Sequence, residues 1–249
     1  MALLCVAGGA APGLVVGLAV GLTAGAVAGA IAGVVVLVIV ALGLRRTAEP
    51  LALRVVGGVP AGEHDLPALV NLVDGLSATF GVRAPHLRLV DDPVPNACSV
   101  GGTRGRAVLV VTSGLVGALD LIEMEGVVAH ELAHVKAHDA AVSAVAVATA
   151  GVVGRLTGTD RWLRLAVGAG REYDADRRAV LGVRYPPGLR DALAKLEVGP
   201  EPATGSVFTG GRWAATRWLW IDPMVGSRSA GYEGLLDATA VRRDALAER

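Results

Sequence analysis

The first stretch of the chain, from Met1 to Leu44, contains no charged side chain. A single helix of that length would measure about 66 Å, whereas the hydrocarbon core of a bilayer is about 30 Å thick. The stretch therefore predicts a transmembrane anchor over residues 1–46, either one long tilted span or a hairpin of two spans, with two favoured. A secretory signal peptide would need a positive amino-terminal region and a shorter apolar core, and the chain has neither.

Glycine recurs at every fourth position of this stretch, at Gly13, Gly17, Gly21, Gly25, Gly29 and Gly33. Such a stripe either lets transmembrane helices approach closely or reflects chance in an apolar sequence rich in glycine. Its continuity past the midpoint argues for one long helix. Arg45 and Arg46 follow at once, and the positive-inside rule then places residues 47–249 in the cytoplasm. We therefore expect a protein of the cell's inner membrane, in contact with lipid, whose larger domain faces the cytoplasm.

The overall composition excludes some other classes of protein. Charged residues make up 18% of the chain, the net charge is zero and the pI is about 7.0. A nucleic-acid partner is not expected, because it would need a basic chain with clustered lysine and arginine. The only cysteines are Cys5 and Cys98. Because Cys5 lies in the apolar run, no disulfide is expected, which fits a reducing compartment.

Residues 47–249 have the pattern of a mixed α+β domain. Strands are predicted at Leu51–Val56, His86–Val90 and Ala107–Thr112. Helices are predicted from an Asp65 cap to Thr79, from an Asp120–Glu123 capping pair to His138, over Trp162–Leu181 and over Leu235–Ala247. The apolar residues Ala140–Gly154 are too few for a span and indicate a buried or interfacial helix. Breakers between Gly199 and Trp213 predict a loop.

The second of these helices carries the sequence His130-Glu131-Leu132-Ala133-His134. Two imidazoles one helical turn apart face the same way, as two nitrogen ligands of a tetrahedral zinc ion do. Glu131, next to the first ligand, is placed to act as the general base on a water molecule. The alternative is a surface helix that carries two histidines by chance.

A catalytic zinc ion usually has three protein ligands, so a third ligand is expected. His138 is one candidate, but it has rotated about 80° around the helix from His130 and converges poorly on the same ion. Glu172 is the better candidate. Asp176, four residues further along the same helix face, can accept a hydrogen bond from the far nitrogen of a zinc-bound histidine. The alternative for this pair is a solvated acidic face.

Together with the stretch Pro95-Asn96-Ala97-Cys98, these motifs resemble the HtpX-like family of membrane zinc metallopeptidases, which includes the CAAX prenyl proteases. The resemblance covers residues 93–193 and implies a zincin-like metallopeptidase domain with one Zn²⁺ ion and a protein or peptide substrate. It also implies that Asn96, Ala97 and Cys98 open an edge strand, reaching Gly101, that binds the substrate backbone. Asn96 could equally be an ordinary turn residue.

The chain departs from this family in two ways. Members often place a histidine near the oxyanion in the C-terminal region, whereas this chain has no histidine after His138, and Arg217 is the candidate for that role. The stretch between His134 and Glu172 is also too short for the two membrane spans that HtpX has there.

The sequence therefore predicts a membrane-anchored zinc endopeptidase that acts in membrane protein quality control. Two alternatives remain open: a signalling metallopeptidase that cleaves one specific regulator, and a zinc-binding membrane scaffold whose catalysis has decayed.

Overall fold

The computed structural model describes residues 25–102, 106–142, 144–145, 147, 170–223, 225 and 239–248. Its helices are α1 (Gly25–Val56), α2 (Pro67–Phe80), α3 (Ser113–Ala118), α4 (Leu121–Lys136), α5 (Arg171–Val183), α6 (Pro186–Glu197), α7 (Gly210–Thr216) and α8 (Thr239–Ala247), with a 3-10 turn at Arg217–Leu219. Its strands are β1 (Val59–Ala61), β2 (His86–Val90), β3 (Ala97–Gly101) and β4 (Ala107–Thr112). The prediction of a mixed α+β protein is confirmed.

The chain divides into two compact units, Met1–Ala48 and Glu49–Arg249. In the first unit, residues 25–48 are helical, and branched side chains such as Ile31 and Ile39 are exposed. Residues 1–24 of the predicted anchor, about half of it, lie outside the described residues, so its form stays a prediction. Within the part of the chain that the structure describes, no helix is both long and apolar enough to span a bilayer.

The second unit is built on a four-stranded sheet of order β1-β2-β4-β3. β1 is antiparallel to β2, β2 is parallel to β4, and β3 is antiparallel to β4. All residues of β3 and β4 are buried, because both faces of the sheet are covered. The bounds predicted for β2 and β4 are confirmed.

The two faces of the sheet belong to two apolar clusters. Ala97, Leu109 and Val111 lie in the larger cluster, with residues of α2, α4, α5 and α6. Cys98, Val100, Val108 and Val110 lie in the smaller one, with Phe208, Trp213 and Trp220. Because successive residues of a strand point to opposite faces, β3 contributes to both clusters. α4 lies in the larger cluster, directly against β3.

The strand predicted at Leu51–Val56 is wrong, because these residues form the end of α1. The alternation of Leu51, Leu53 and Val55 indicated a strand. In the structure, Ala52 and Val56, one helical turn apart, are both buried in the smaller cluster. Tertiary packing of one helix face therefore decides the conformation here, against the local pattern.

The predicted start of α2 is also corrected. Asp65 does not cap this helix: its carboxylate accepts a hydrogen bond from the Gly62 amide at 3.0 Å. The helix begins at Pro67, whose fixed φ and missing N–H suit the first turn.

The remaining predicted elements differ from the structure at their ends. α4 stops at Lys136 rather than His138, and α5 begins after Gly170, which has a left-handed φ of 79°. Residues 162–169 and 235–238 of the predicted helices lie outside the described ones. Within 140–154, the described positions are helical, and Ala140, Ala144 and Val147 are buried. The predicted loop from Gly199 ends early, because α7 begins at Gly210.

α6 was not predicted, although the sequence carries a signal for it. Two prolines stand at its first positions, and Leu189, Ala192, Leu193 and Leu196 follow at helical spacing and are buried. α6 packs against α4, α5 and α8, so it supports both helices that carry the predicted ligands.

Candidate metal centre

The start of α4 is fixed by the predicted capping pair. The Asp120 carboxylate accepts from the Ile122 and Glu123 amides at 2.9 Å, and the Glu123 carboxylate accepts from the Asp120 amide at 2.8 Å. Lys195 of α6 donates to the same Glu123 carboxylate at 2.7 Å. These bonds satisfy amides that a helix start leaves without partners, and they fix α4 at its first turn.

The motif on α4 points into the protein. His130, Glu131 and His134 are 0%, 1% and 6% exposed. Burial of three such side chains is costly unless they have polar partners. A surface helix with two accidental histidines does not fit this placement.

The structure brings Glu172 of α5 to the two histidines of α4. His130 Nε2 lies 3.1 Å from His134 Nε2 and 3.2 Å from Glu172 Oε2, and His134 Nε2 lies 3.5 Å from Glu172 Oε1. A tetrahedral zinc ion with bonds of about 2.0–2.1 Å separates its ligand atoms by roughly 3.3 Å. Among the described residues this is the group that could hold a metal ion, and His138 is not part of it. The donor set and its spacing therefore fit zinc.

Asp176 lies behind the first of these histidines, one turn after Glu172 on α5. Its Oδ1 is 2.8 Å from His130 Nδ1, so it accepts from that ring and leaves Nε2 directed at the other ligands. Burial raises the pKa of Asp176, but the adjacent Arg242 guanidinium outweighs it and lowers the pKa to about 2. Burial likewise raises the pKa of Glu172, yet His134 and His130 hold it well below its usual range. Both carboxylates are therefore ionised at neutral pH.

The second histidine has a carboxylate partner of its own, which the sequence analysis missed. Asp139 Oδ2 lies 3.2 Å from His134 Nδ1. Asp139 comes close to His134 because α4 has ended and His138 adopts a left-handed φ of 62°, which turns the backbone. His138 thus has a backbone role in the turn. The spacing alone gave no sign of this contact, since it depends on where the helix ends.

Glu131, the predicted base, contacts the sheet. The Ser99 hydroxyl of β3 forms a short hydrogen bond with Glu131 Oε2 and lies 3.0 Å from the Glu131 carbonyl oxygen. Glu131 Oε1 is buried and has no hydrogen-bond partner among the described residues. A buried carboxylate oxygen without a protein donor suits a group that must take a proton from a bound water.

Asn96 and Ala97 lie at the outer edge of the sheet, where a second segment pairs with them. The Asn96 carboxamide donates to the Asp222 carbonyl at 2.9 Å and accepts from the Asp222 amide at 3.1 Å. Ile221 donates to the Ala97 carbonyl at 2.9 Å. By the alternation of antiparallel ladders, Ser99 is the next residue whose backbone points away from β4. Contact of Asn96, Ala97 and Cys98 with a substrate stays a prediction.

Cys98 is fully buried in the smaller apolar cluster, and its backbone forms an isolated antiparallel β-bridge with Trp220. Burial raises the pKa of its thiol well above the usual value, with a further contribution from Glu131. The thiol is therefore neutral and is not an activated nucleophile.

Arg217 is partly buried in the 3-10 turn that precedes Trp220. The turn lies near the predicted ligand Glu172, because Arg171 donates both to the Trp218 carbonyl at 2.9 Å and to Glu172 Oε1 at 3.0 Å. A role of Arg217 at the oxyanion stays a prediction.

Arg242 of α8, which no motif in the sequence singles out, is 0% exposed. Its guanidinium donates to both carboxylate oxygens of Asp176, at 2.7 and 2.8 Å. No periodicity distinguishes it from the neighbouring Arg243, which is half-buried and pairs with Glu197. Only its burial and its contacts in the fold show which arginine belongs to the site.

A family model for Peptidase family M48 matches residues 64–217, which include Asn96, the histidine motif and Glu172. This chain belongs to peptidase family M48. Among curated proteins of similar sequence, a protease HtpX homolog of Tropheryma whipplei (strain Twist) is 35% identical over 185 residues, or 61% of this chain and 64% of that protein. A protease HtpX homolog of Dictyoglomus thermophilum is 30% identical over 190 residues, 63% of each chain.

The chain thus spans less than two thirds of the length of these M48 relatives. The matched region carries the predicted metal ligands, the predicted base and the edge strand. The M48 match ends at Arg217, so α8 with Arg242 lies beyond it.

Proposed function

We propose that the chain is a membrane-anchored, zinc-dependent endopeptidase with a zincin-like catalytic domain. The observation that supports this most strongly is the spacing of the three donor atoms from α4 and α5, which are 3.1–3.5 Å apart. The membership of this chain in peptidase family M48 and the name of its HtpX homologs also support peptide hydrolysis. His130, His134 and Glu172 would hold one Zn²⁺ ion.

The ion, when bound, would polarise the scissile carbonyl and acidify the attacking water. Glu131 takes the proton of that water and then passes it to the leaving amine. Ser99 holds one oxygen of Glu131, which leaves the other oxygen for the proton transfer. Asp176 and Asp139 orient the two imidazoles through their Nδ1 atoms.

The substrate is proposed to be a protein or peptide that adds as a strand to the edge of β3. Backbone hydrogen bonds to the edge of a strand hold an extended peptide of any sequence. Ser99 connects this strand to the proposed base, because its hydroxyl contacts Glu131. Arg217, in the nearby turn, is proposed to stabilise the oxyanion.

The charge-free run from Met1 to Leu44, followed by Arg45 and Arg46, supports a membrane anchor with the catalytic domain in the cytoplasm. This placement suits quality control of membrane proteins at the inner membrane. Cleavage of a single regulator would use the same site, and a substrate screen separates the two roles.

Metal analysis combined with cleavage of an unfolded protein such as casein tests the proposal. The purified chain should bind one zinc ion and cleave casein. Glu172→Ala should lose most of the zinc, because a three-ligand site loses a charged ligand, while Asp174→Ala, an exposed carboxylate on the same helix, should keep it.

Glu131→Gln should keep zinc and lose activity by at least about 100-fold, as removal of a general base does. Glu125→Gln, on the same helix but outside the motif, is the matched control. Normal cleavage by Glu131→Gln would show that the base is assigned wrongly. Zinc binding by the wild-type chain without cleavage of any unfolded substrate would instead indicate the decayed scaffold.

A further inference from the structure

Arg242 is a fully buried cation in α8, outside the motifs that identify the site. Burial of a guanidinium is costly unless its donors are paired. Its shortest hydrogen bonds reach α5 and the residues that follow the 3-10 turn. Its position therefore links segments far apart in the sequence.

The first link is to Asp176. Arg242 Nε donates to Oδ2 at 2.8 Å, and Nη2 donates to Oδ1 at 2.7 Å. Such a two-point pair fixes the plane of the carboxylate as well as its position. Oδ1 also accepts from His130 Nδ1, at 2.8 Å. The orientation of the His130 ring is thus set by a carboxylate that Arg242 itself holds.

The second link runs to the edge of the sheet. Arg242 Nη1 donates to the Ile221 carbonyl at 2.7 Å, and the Ile221 amide donates to Ala97 of β3. The same Nη1 lies 3.4 Å from Glu172 Oε2. One side chain therefore contacts a ligand, the carboxylate behind another ligand and the segment that pairs with β3.

Only an arginine can make this set of contacts. Its planar head donates in three directions at once, whereas a lysine ammonium cannot pair with both carboxylate oxygens in one plane and still reach Ile221. The adjacent Arg243 has the same chemistry but lies at the surface, paired with Glu197 and Asp244.

We propose that Arg242 is a positioning residue of the metal centre, which holds Asp176 so that His130 faces the ion. The C-terminal helix α8 is then part of the metal site and does more than cover the core. This inference rests on the proposed function, in that His130, His134 and Glu172 must bind a divalent metal.

A purely structural role for Arg242 makes different predictions. If it only tied α8 to α5, its loss would lower the stability of the metal-free protein, and the folded fraction would still bind metal as before. The distinguishing measurement is therefore the affinity of the folded protein for Zn²⁺ and Co²⁺, by competition with a chelator, together with the visible spectrum of the Co²⁺ form.

The experiment uses the full chain with Arg242→Lys, Arg242→Met and the control Arg243→Met. Both Arg242 variants should bind metal roughly 10–100-fold more weakly, the range seen when outer partners of a ligand are lost, with an altered Co²⁺ spectrum. Arg243→Met should stay within about threefold of the wild type. Unchanged affinity and spectrum in the Arg242 variants would overturn the inference.

A double variant covers the case in which Arg242→Met folds poorly. If Arg242 acts through Asp176, then Arg242→Lys should add little to the loss of affinity that Asp176→Asn already causes. Independent, additive losses would contradict a role through Asp176. Absence of metal binding by the wild-type chain would overturn the proposed function as well, whereas unchanged variants overturn this inference alone.

Discussion

Each imidazole of the candidate metal centre has a carboxylate at its far nitrogen, Asp176 for His130 and Asp139 for His134. A neutral histidine can bind a metal through one nitrogen only if the other carries the proton, and an acceptor there selects that tautomer. The two acceptors are positioned in different ways. Asp176 lies on a separate helix, α5, whereas Asp139 follows the left-handed turn at His138.

The metal affinity of the site should depend on pH through His130. Burial lowers its pKa, but hydrogen bonds to Asp176 and Glu172 outweigh burial and raise the pKa to about 9 in the metal-free protein. A group with a raised pKa keeps its proton until the pH rises through that value, and the metal must displace this proton. We expect the apparent zinc affinity to increase by up to roughly tenfold per pH unit between about 7 and 9.

Calorimetric titration at pH 7.5 in two buffers of different ionisation enthalpy should reveal proton release upon zinc binding. In Asp176→Asn, which replaces the charged acceptor of the His130 proton by a neutral one, less release is expected. An affinity that does not change over this pH range would contradict the assignment.

At the scale of elements, two glycines set the distance between α4 and α6. A Cβ atom at Gly126 would lie 2.6 Å from the Leu189 amide nitrogen, and one at Gly188 would lie 2.7 Å from the Ile122 carbonyl oxygen. Both would meet backbone atoms, which cannot rotate away. The close approach lets α6 cover α4 along the turns that precede the histidine motif.

We predict that Gly126→Ala destabilises the fold by about 1–3 kcal/mol, as overpacking in a tight core does. Gly75→Ala is the matched control: it too lies in a helix, but nothing is within 4 Å of its added Cβ. That control should be neutral or stabilising by up to about 1 kcal/mol. Urea unfolding measures the free energy of unfolding of each variant, with the same dependence on urea concentration assumed for both. Equal stabilities of the two variants would refute the close-packing argument.

At the scale of the whole second unit, the candidate site joins helices that are far apart in the sequence. The proposed ligands come from α4 and α5, and Arg242 comes from α8. An ion held by both helices binds the folded chain and not the unfolded one. Metal binding should therefore stabilise the fold as a whole.

We expect zinc at about 100 times its dissociation constant to add roughly 2.7 kcal/mol to the free energy of unfolding. Thermal unfolding of the metal-free and zinc-loaded protein should show this as a higher midpoint for the loaded form. Glu172→Ala should abolish most of the difference, whereas Asp174→Ala should retain it. Equal midpoints for wild-type protein with and without zinc would contradict a bridging ion.

The sequence by itself determined the local features of this protein. The capping pair Asp120–Glu123, the spacing of His130 and His134, and the strands β2 and β4 follow from short-range patterns, and the structure shows each of them. Glu172 could be proposed because catalytic zinc needs a third ligand, and the fold brings it to the histidines.

Only the tertiary structure decided the roles of residues whose neighbouring sequence carries no clear pattern. Residues 51–56 form a helix because Ala52 and Val56 are buried together, and Arg242 rather than Arg243 joins the site because its side chain is the one directed inward. Short-range patterns record spacing along the chain, whereas burial and charge pairing depend on the elements that lie opposite in space. For that reason the histidine pair on one helix could be predicted from the sequence, and the buried arginine behind Asp176 could not.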